Sequence, residues 1–171
     1  MKFGIFYEHQ LPRPWKDDSE YNLLQNSLTQ IELADKLGYD YAWMVEHHFL
    51  EEYSHASSPE TFLGAASQRT ENIRLGYGII QLTTNQPHRV AEKFSTLDLL
   101  SGGRVEFGMG EGAGPAELHP FGTQVRSKRD RWLEAVQAII PMFTKEDWEF
   151  HGEFHDFPAR SVLPKPFQKP H

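Results

Sequence analysis

The feature that most constrains the fold of this chain is the even spacing of four short apolar runs. The runs cover residues 3–7, 41–45, 73–80 and 105–109, and their first residues lie 38, 32 and 32 positions apart. A strand, a crossover helix and their connections need about 30 residues or more. The runs are apolar almost throughout, as expected for parallel strands that are covered on both faces. The spacing therefore predicts four consecutive strand–helix units.

Helical patterns occupy the gaps between these runs. Apolar residues recur every three to four positions over residues 24–37, and Gly38 supplies a helix stop. Prolines at positions 59 and 87 are typical of the first residue of a helix, so they predict the starts of the second and third helices. A fourth helical pattern runs over residues 132–143. Strict alternation of strands and helices predicts a parallel α/β sheet.

The C-terminal part of the chain has a different pattern. Residues 150–154 predict a small hairpin. Four prolines then favour an extended tail and disfavour another helix: Pro158, Pro164, Pro166 and Pro170. The expected domain therefore consists of four strand–helix units, a hairpin and a proline-rich extended tail.

Composition narrows the classes of partner and chemistry. Lys and Arg total 17 against 24 Asp and Glu, for a net charge of -7. This balance argues against nucleic acid and against an anionic membrane surface as partners. No apolar run approaches the roughly 20 residues that a bilayer crossing needs. The chain has no cysteine, which excludes disulfides, thiolate nucleophiles and zinc–thiolate sites. It enters its first strand without a signal-peptide pattern, so a cytoplasmic protein is expected.

Titratable residues follow the first two strands at the ends where parallel α/β proteins bind their ligands. Residues 7–9 end the first strand, and Glu46, His47 and His48 end the second. Histidine carries protons near neutral pH, and a neighbouring carboxylate can orient it. Adjacent residues of an extended chain point to opposite sides, so one histidine is expected to face the cavity and no two-histidine metal site is expected. The pattern leaves open whether the histidines are catalytic or one is a buried structural residue.

Glycines and cations follow the fourth strand. The run 108–114 contains four glycines, which let a backbone approach a ligand closely. It lacks the Lys-Ser/Thr pair of a P-loop and fits the dinucleotide fingerprint poorly. The cations that precede the fourth helix are Arg126, Lys128, Arg129 and Arg131. They are compatible with an anion site and equally with a solvated basic start of a helix.

Several segments together resemble the bacterial luciferase-like flavin-dependent monooxygenases, in the order in which that family has them. These segments are residues 43–49, 73–76, 87–92, 97–108 and 162–168, of which 97–108 is the most specific. The family fold is a (β/α)8 TIM barrel. The resemblance therefore implies that residues 1–171 form the N-terminal half of such a barrel domain, with its first four βα units.

The resemblance also implies roles for individual residues. His47 matches the catalytic histidine of the family, and Glu46 matches the acid beside it. Gly78 and Ile79 match the place where the family can hold a non-prolyl cis peptide beneath the flavin ring. Gly110 and Arg129 are implied at the cofactor, with Arg129 near its phosphate. Glu111 stands where luciferases often carry a phosphate-binding arginine, so its carboxylate is expected to turn elsewhere.

Three functions follow from the resemblance. The first is a monooxygenase that takes reduced FMN from a separate flavin reductase and uses dioxygen on an aldehyde, a ketone or another small organic substrate. The second is a deazaflavin-dependent oxidoreductase that transfers hydride, and the third is a flavin-binding or structural subunit without turnover. A homo-oligomer is expected, either through the second and third helices around residues 64–67 or through the open edges of the half barrel. The isolated half is expected to be inactive.

Overall fold

A computed structural model describes residues 1–169 of the chain. Pro170, which was counted among the prolines of the tail, lies outside the described residues. The chain divides into two compact units. The first unit comprises residues 1–80 and 104–108, and the second comprises residues 81–103 and those from 109 onward. Across residues 1–169, no helix has both the length and the apolar character that crossing a bilayer requires.

The order of elements follows the predicted alternation. In chain order they are β1 (Gly4–Tyr7), α1 (Ser19–Lys36), β2 (Tyr41–Met44), α2 (Pro59–Ser67), β3 (Arg74–Tyr77), β4 (Ile80–Gln81), α3 (Pro87–Leu100), β5 (Val105–Glu106), β6 (Met109–Gly110), α4 (Pro115–Leu118), α5 (Lys128–Met142), β7 (Trp148–His151) and β8 (Asp156–Arg160). Two short 3-10 turns, His119–Phe121 and Val125–Ser127, lie between α4 and α5.

The first unit contains a four-stranded parallel sheet in the order β1-β2-β3-β5. Gly4 is in register with Tyr41, and Tyr41 with Arg74. Helices α1 and α2 supply buried side chains to the core of this unit, including Ile31 and Leu63. The predicted parallel α/β sheet is therefore confirmed.

Two of the predicted strands are shorter than expected. The apolar run 73–80 is divided between β3 and β4, and the run 105–109 is divided between β5 and β6. A Cβ at Gly108 would clash with the carbonyl oxygen of Tyr77, so only glycine permits this close approach of the two chains. Beyond the glycine the backbone pairs again, and the amide of Ile80 donates to the carbonyl of Gly108 at 3.0 Å.

Arg104 joins segments of the first unit. Its guanidinium donates hydrogen bonds to the carbonyl oxygens of Ser67, Thr70 and Ile73 at 2.8 to 3.1 Å. Those carbonyls belong to the end of α2 and to the connection that leads into β3. The arginine of the most specific family segment therefore has a structural role.

The second unit contains α3, α5 and a two-stranded hairpin. Phe94 of α3 and Phe143, directly after α5, pack with their ring centroids 5.2 Å apart. Asp98 is fully buried, and its carboxylate accepts hydrogen bonds from the backbone amides of Phe167 and Gln168 at 2.8 and 2.9 Å. These bonds hold the extended tail, which contains neither helix nor strand over residues 161–169.

The predicted hairpin is formed by the antiparallel strands β7 and β8. It is longer than residues 150–154, because pairing extends from Trp148 to Arg160. The carboxylate of Glu134 on α5 accepts bonds from the backbone amides of residues 153–155, which fixes the turn. Helix α4 was not predicted, because four residues are too few to show an apolar period.

Candidate active site

The backbone of the segment after β2 is fixed by two neighbouring segments. The amide of Val45 donates to the carbonyl of Tyr7 at 3.3 Å, which places the end of β2 beside the end of β1. The amide of His47 donates to the carbonyl of Ala56 at 2.9 Å. Because the carboxyl ends of parallel strands meet at one edge of the sheet, this bonding brings the titratable residues of both strands together.

The two adjacent histidines contact different carboxylates. Nε2 of His47 lies 3.4 Å from Oε2 of Glu8, and the His47 ring packs edge-on against Tyr53. Nε2 of His48 lies 3.0 Å from Oε1 of Glu46, which is buried. Sequence reasoning named Glu46 as the acid that accompanies His47. The structure pairs Glu46 with His48 and adds Glu8 as a carboxylate at His47.

Glu8 and His9 directly follow β1, and their sequence pattern alone predicts no role for either residue. The carbonyl of Glu8 accepts a hydrogen bond from Oγ of Ser54 at 2.6 Å. His9 is buried with a left-handed backbone (φ 52°), and its carbonyl accepts a bond from the amide of His55 at 3.0 Å. Burial lowers the pKa of His9 to about 4, so its ring is neutral at pH 7.

The turn that separates β3 from β4 contains Gly78 and Ile79. The amide of Gly78 donates to the carbonyl of Met44 at 2.8 Å, and a Cβ at Gly78 would lie 3.0 Å from the ring of Phe6. The expected cis peptide between Gly78 and Ile79 is wrong for this structure. Among the described residues the cis bonds are Arg13–Pro14 and Leu163–Pro164. On either side of Ile79, the amide of Gly78 donates to the carbonyl of Met44 and the amide of Ile80 donates to the carbonyl of Gly108.

In the second unit, Lys128 holds the glycine-rich loop that follows Gly110. Its ammonium group donates to the carbonyls of Gly112 and Ala113, both at 3.0 Å. Oε1 of Glu111 lies 3.7 Å from the same nitrogen. That Glu111 turns away from a phosphate stays a prediction, and Lys128 is the cation that the structure gives its carboxylate. Gly112 has a left-handed backbone (φ 73°), which favours glycine at this position.

Arg129 differs from Lys128 in its surroundings. It is exposed, and its guanidinium carbon lies 4.6 Å from the centroid of the Trp132 ring. Over residues 1–169 no carboxylate forms an ion pair with Arg129. Stacking on tryptophan orients a guanidinium while its N–H groups stay available to an anion. Of the predicted basic cluster, Lys128 is thus a structural residue, and Arg129 is a candidate for holding a phosphate.

The predicted site residues fall into two groups. Glu46, His47, Gly78 and Ile79 belong to the first unit, and Gly110 and Arg129 belong to the second. Within the described part of the chain, no three His, Asp or Glu side chains are grouped so that they could hold a metal ion.

Comparison with known proteins extends these observations. The family described as luciferase-like monooxygenase matches residues 1–171. The 4-hydroxyprotoasukamycin monooxygenase of Streptomyces nodosus subsp. asukaensis is 36% identical over 147 residues, which are 86% of this chain and 38% of that protein. The crystal structure of the monooxygenase RslO1 from Streptomyces bottropensis superimposes with a TM-score of 0.92 at 34% identity. The match includes 100% of this chain and 51% of RslO1, so the chain spans about half the length of that protein.

Two further proteins show the range of cofactors among similar chains. The oxygenating constituent of 3,6-diketocamphane monooxygenase from Pseudomonas putida, solved in complex with FMN, shares the fold with a TM-score of 0.86 at 20% identity, over 98% of this chain and 48% of that one. The F420-dependent glucose-6-phosphate dehydrogenase of Amycolatopsis mediterranei is 28% identical over 79% of this chain and 42% of that protein. The parallel sheet, the order of elements and the match over all 171 residues agree with the first half of a TIM barrel. The chain belongs to the luciferase-like monooxygenase family.

Proposed function

We propose that the protein is a monooxygenase that uses reduced FMN and dioxygen to oxidise a small organic substrate such as an aldehyde or a ketone. The observation that carries this proposal is the pairing of His47 with Glu8 where β1 and β2 end, in a chain of this family. A histidine held by a carboxylate at that edge can manage a proton for a ligand bound there.

Two features of the chain, each taken within its own unit, suit chemical groups that a flavin mononucleotide carries. Arg129 has the fork of donors that suits a phosphate group. The glycine turn at Gly78 lets backbone approach a flat ring closely, because a side chain there would crowd Phe6. Bound reduced FMN would supply the electrons for activating dioxygen. A separate flavin reductase would deliver the reduced FMN.

The chain itself would contribute proton control and shelter from water. His47 can hold or release one proton near the reacting atoms. Val45 and Ala56 are buried, and the carbonyl of Ala56 accepts the amide of His47, so apolar side chains adjoin this segment and would restrict water there. Glu46 and His48 form a second pair whose buried carboxylate keeps this loop in place.

The test compares two neighbouring variants, His47→Asn and His48→Asn, in a chain extended to full barrel length. With reduced FMN, dioxygen and a panel of aldehydes and ketones, we expect His47→Asn to lower product formation by at least about 100-fold. FMN affinity should change little, because an asparagine keeps a polar group of similar reach. His48→Asn should retain much more product formation. Equal losses from both variants would contradict the role of His47.

A deazaflavin-dependent hydride transfer is the second candidate function. The similarity to an F420-dependent dehydrogenase favours it. In that reaction His47 would orient or deprotonate an alcohol. Binding of a deazaflavin without binding of reduced FMN would establish this alternative. Absence of turnover with either cofactor would instead indicate a supporting subunit.

We also propose that the protein acts in the cytoplasm, where a reductase can supply reduced flavin.

We further propose that the protein self-associates through α2. Gly64 and Ala65 lie on the outer face of α2, while Ala66 and Ser67 are buried. An Ala65→Arg substitution would prevent close approach of a second helix, so a lower mass in sedimentation velocity is expected. An unchanged mass would contradict this surface, and Gln25→Arg on the exposed side of α1 is the control.

A further inference from the structure

We propose that Ser54 is a positioning residue that fixes His47 relative to the end of β1. The inference rests on the proposed function of His47 and deepens it. The Ser54 hydroxyl would act through the backbone of the loop over residues 47–56, and it need not touch the substrate or the cofactor.

Ser54 lies in the middle of a hydrogen-bonded path between β1 and His47. Its hydroxyl donates to the carbonyl of Glu8 at 2.6 Å and accepts from the amide of Ala56 at 3.2 Å. The carbonyl of Ala56 in turn accepts from the amide of His47 at 2.9 Å. Three consecutive hydrogen bonds therefore join the residue that follows β1 to the backbone of the candidate catalytic histidine.

This path is shielded from water. Ser54 is 6% exposed and Ala56 is 0% exposed. A serine hydroxyl has one donor hydrogen and two acceptor lone pairs, so it can bond to both neighbours at once. Without the hydroxyl, the amide of Ala56 would lose this partner inside the protein, which is unfavourable for a shielded polar group. The observed course of the loop therefore depends on a hydroxyl at position 54.

Ser54 also lies beside the residue whose ring packs against His47. The amides of Tyr53 and Ser54 both donate to the carbonyl of Leu50, at 2.8 and 2.9 Å, which closes a turn. The Tyr53 ring lies edge-on to the His47 ring, with centroids 5.6 Å apart. A shift of this turn would therefore move the neighbour of the His47 ring as well as the backbone of His47.

The chemical consequence concerns the placement of a proton carrier. Misplacing a reacting group by roughly 1 Å can lower a rate by about 100-fold. The strands before the loop pair through their own ladder, from Gly4 with Tyr41 to Tyr7 with Met44. Loss of the Ser54 hydroxyl should therefore displace the loop and leave the sheet in place.

The structural test measures hydrogen exchange of the His47 amide in a chain extended to full barrel length, without flavin. Ser54→Ala should speed this exchange at least about tenfold, because the bond to Ala56 opens more often. Ser54→Thr keeps the hydroxyl and should restore most of the protection.

Ser67→Ala is the matched control. Ser67 is 3% exposed, and its hydroxyl likewise takes part in two hydrogen bonds. It donates to the carbonyl of Gly64 at 2.7 Å and accepts from the side-chain amide of Gln68 at 3.1 Å. Because Ser67 ends α2 and does not belong to the loop, its loss should leave the exchange of the His47 amide unchanged.

The kinetic test uses the same variants with reduced FMN, dioxygen and an aldehyde. Ser54→Ala should lower kcat about tenfold while KM stays within about twofold. Ser54→Thr should retain most of kcat, and Ser67→Ala should leave it unchanged. In the His47→Asn background, Ser54→Ala should cause no further loss, because Ser54 acts through that residue. If Ser54→Ala does not fold, Ser54→Cys weakens both hydrogen bonds and should shift both readouts in the same direction.

The outcomes separate this inference from the proposed function. Unchanged exchange in Ser54→Ala, equal changes in Ser54→Ala and Ser67→Ala, or an equal loss of kcat with and without His47 would overturn the positioning role. Faster exchange of the His47 amide in a protein that oxidises no substrate would support the role of Ser54 and count against the proposed monooxygenase activity.

Discussion

His9 shows how burial can make one residue sensitive to pH. Its side chain is 3% exposed, and both ring nitrogens lack hydrogen-bond partners among residues 1–169. The folded protein therefore holds the neutral ring, and the pKa of His9 falls to about 4, below the ordinary histidine value of 6.5. Protonation must accordingly oppose folding.

The first prediction concerns stability against pH. Because the pKa of His9 is lowered in the folded state, the neutral ring contributes to the free energy of unfolding above pH 6.5. That contribution is lost as the pH falls through 6.5 towards 4. The loss should reach about 3 kcal/mol in the free energy of unfolding. His9→Asn, which tolerates the left-handed backbone, should lack this part of the pH dependence in urea titrations. His151→Asn removes an exposed histidine and should retain it.

Some residues of the candidate site could be predicted from the sequence, and others could not. Glu46 and His47 were found because they follow an apolar strand directly. Glu8 was missed as the partner of His47, because strand register and the course of the loop over residues 47–58 decide that contact. Neither can be read from a local pattern. Asp98 and Arg104 lie in the most specific family segment, yet their side chains hold backbone in place.

At the scale of elements, the helix ends marked by Gly or Pro were predicted better than the strand ends. Gly38 follows α1 with a left-handed backbone, and Pro59 and Pro87 begin α2 and α3. These signals act locally, through φ angles and missing N–H groups. The third and fourth predicted strands are interrupted where Gly108 lies against the carbonyl oxygen of Tyr77. The apolar pattern of each segment does not show this contact, because the two residues are far apart in sequence.

The second prediction tests that contact. Gly108→Ala would place a methyl group against the carbonyl oxygen of Tyr77, so backbone must shift in both segments. We expect the free energy of unfolding to fall by about 1–3 kcal/mol. Gly114→Ala is a matched control, because nothing lies within 4 Å of its Cβ and its φ is negative. Equal stability of both variants in urea titrations would show that the close approach is unimportant.

At the scale of the whole molecule, the sheet of the first unit has β1 at one edge and β5 at the other. Phe3 and Phe6, in and beside β1, are 58% and 57% exposed. A complete barrel of this kind has about 250 residues and eight strands. Unpaired edges and exposed aromatic side chains favour association.

The third prediction follows from those edges. A polypeptide of these 171 residues alone should self-associate in sedimentation experiments and bind FMN more weakly than a chain extended to full barrel length. Phe6→Ser should reduce the association, whereas Leu133→Ser, at an exposed position on α5, should not. A stable monomer that binds FMN with micromolar affinity would contradict this prediction.

The discontinuity of the first unit has a consequence for synthesis on the ribosome. Residues 1–80 lack the strand that completes their sheet until residues 104–108 have also been made. The same late segment brings Arg104, whose guanidinium satisfies carbonyls at the end of α2. A nascent chain released from the exit tunnel as far as α3 would therefore leave β3 unpaired on one side, and a chaperone can bind that edge. Arrested chains that expose residue 108 should resist protease over residues 1–80 far better than chains that stop at residue 100.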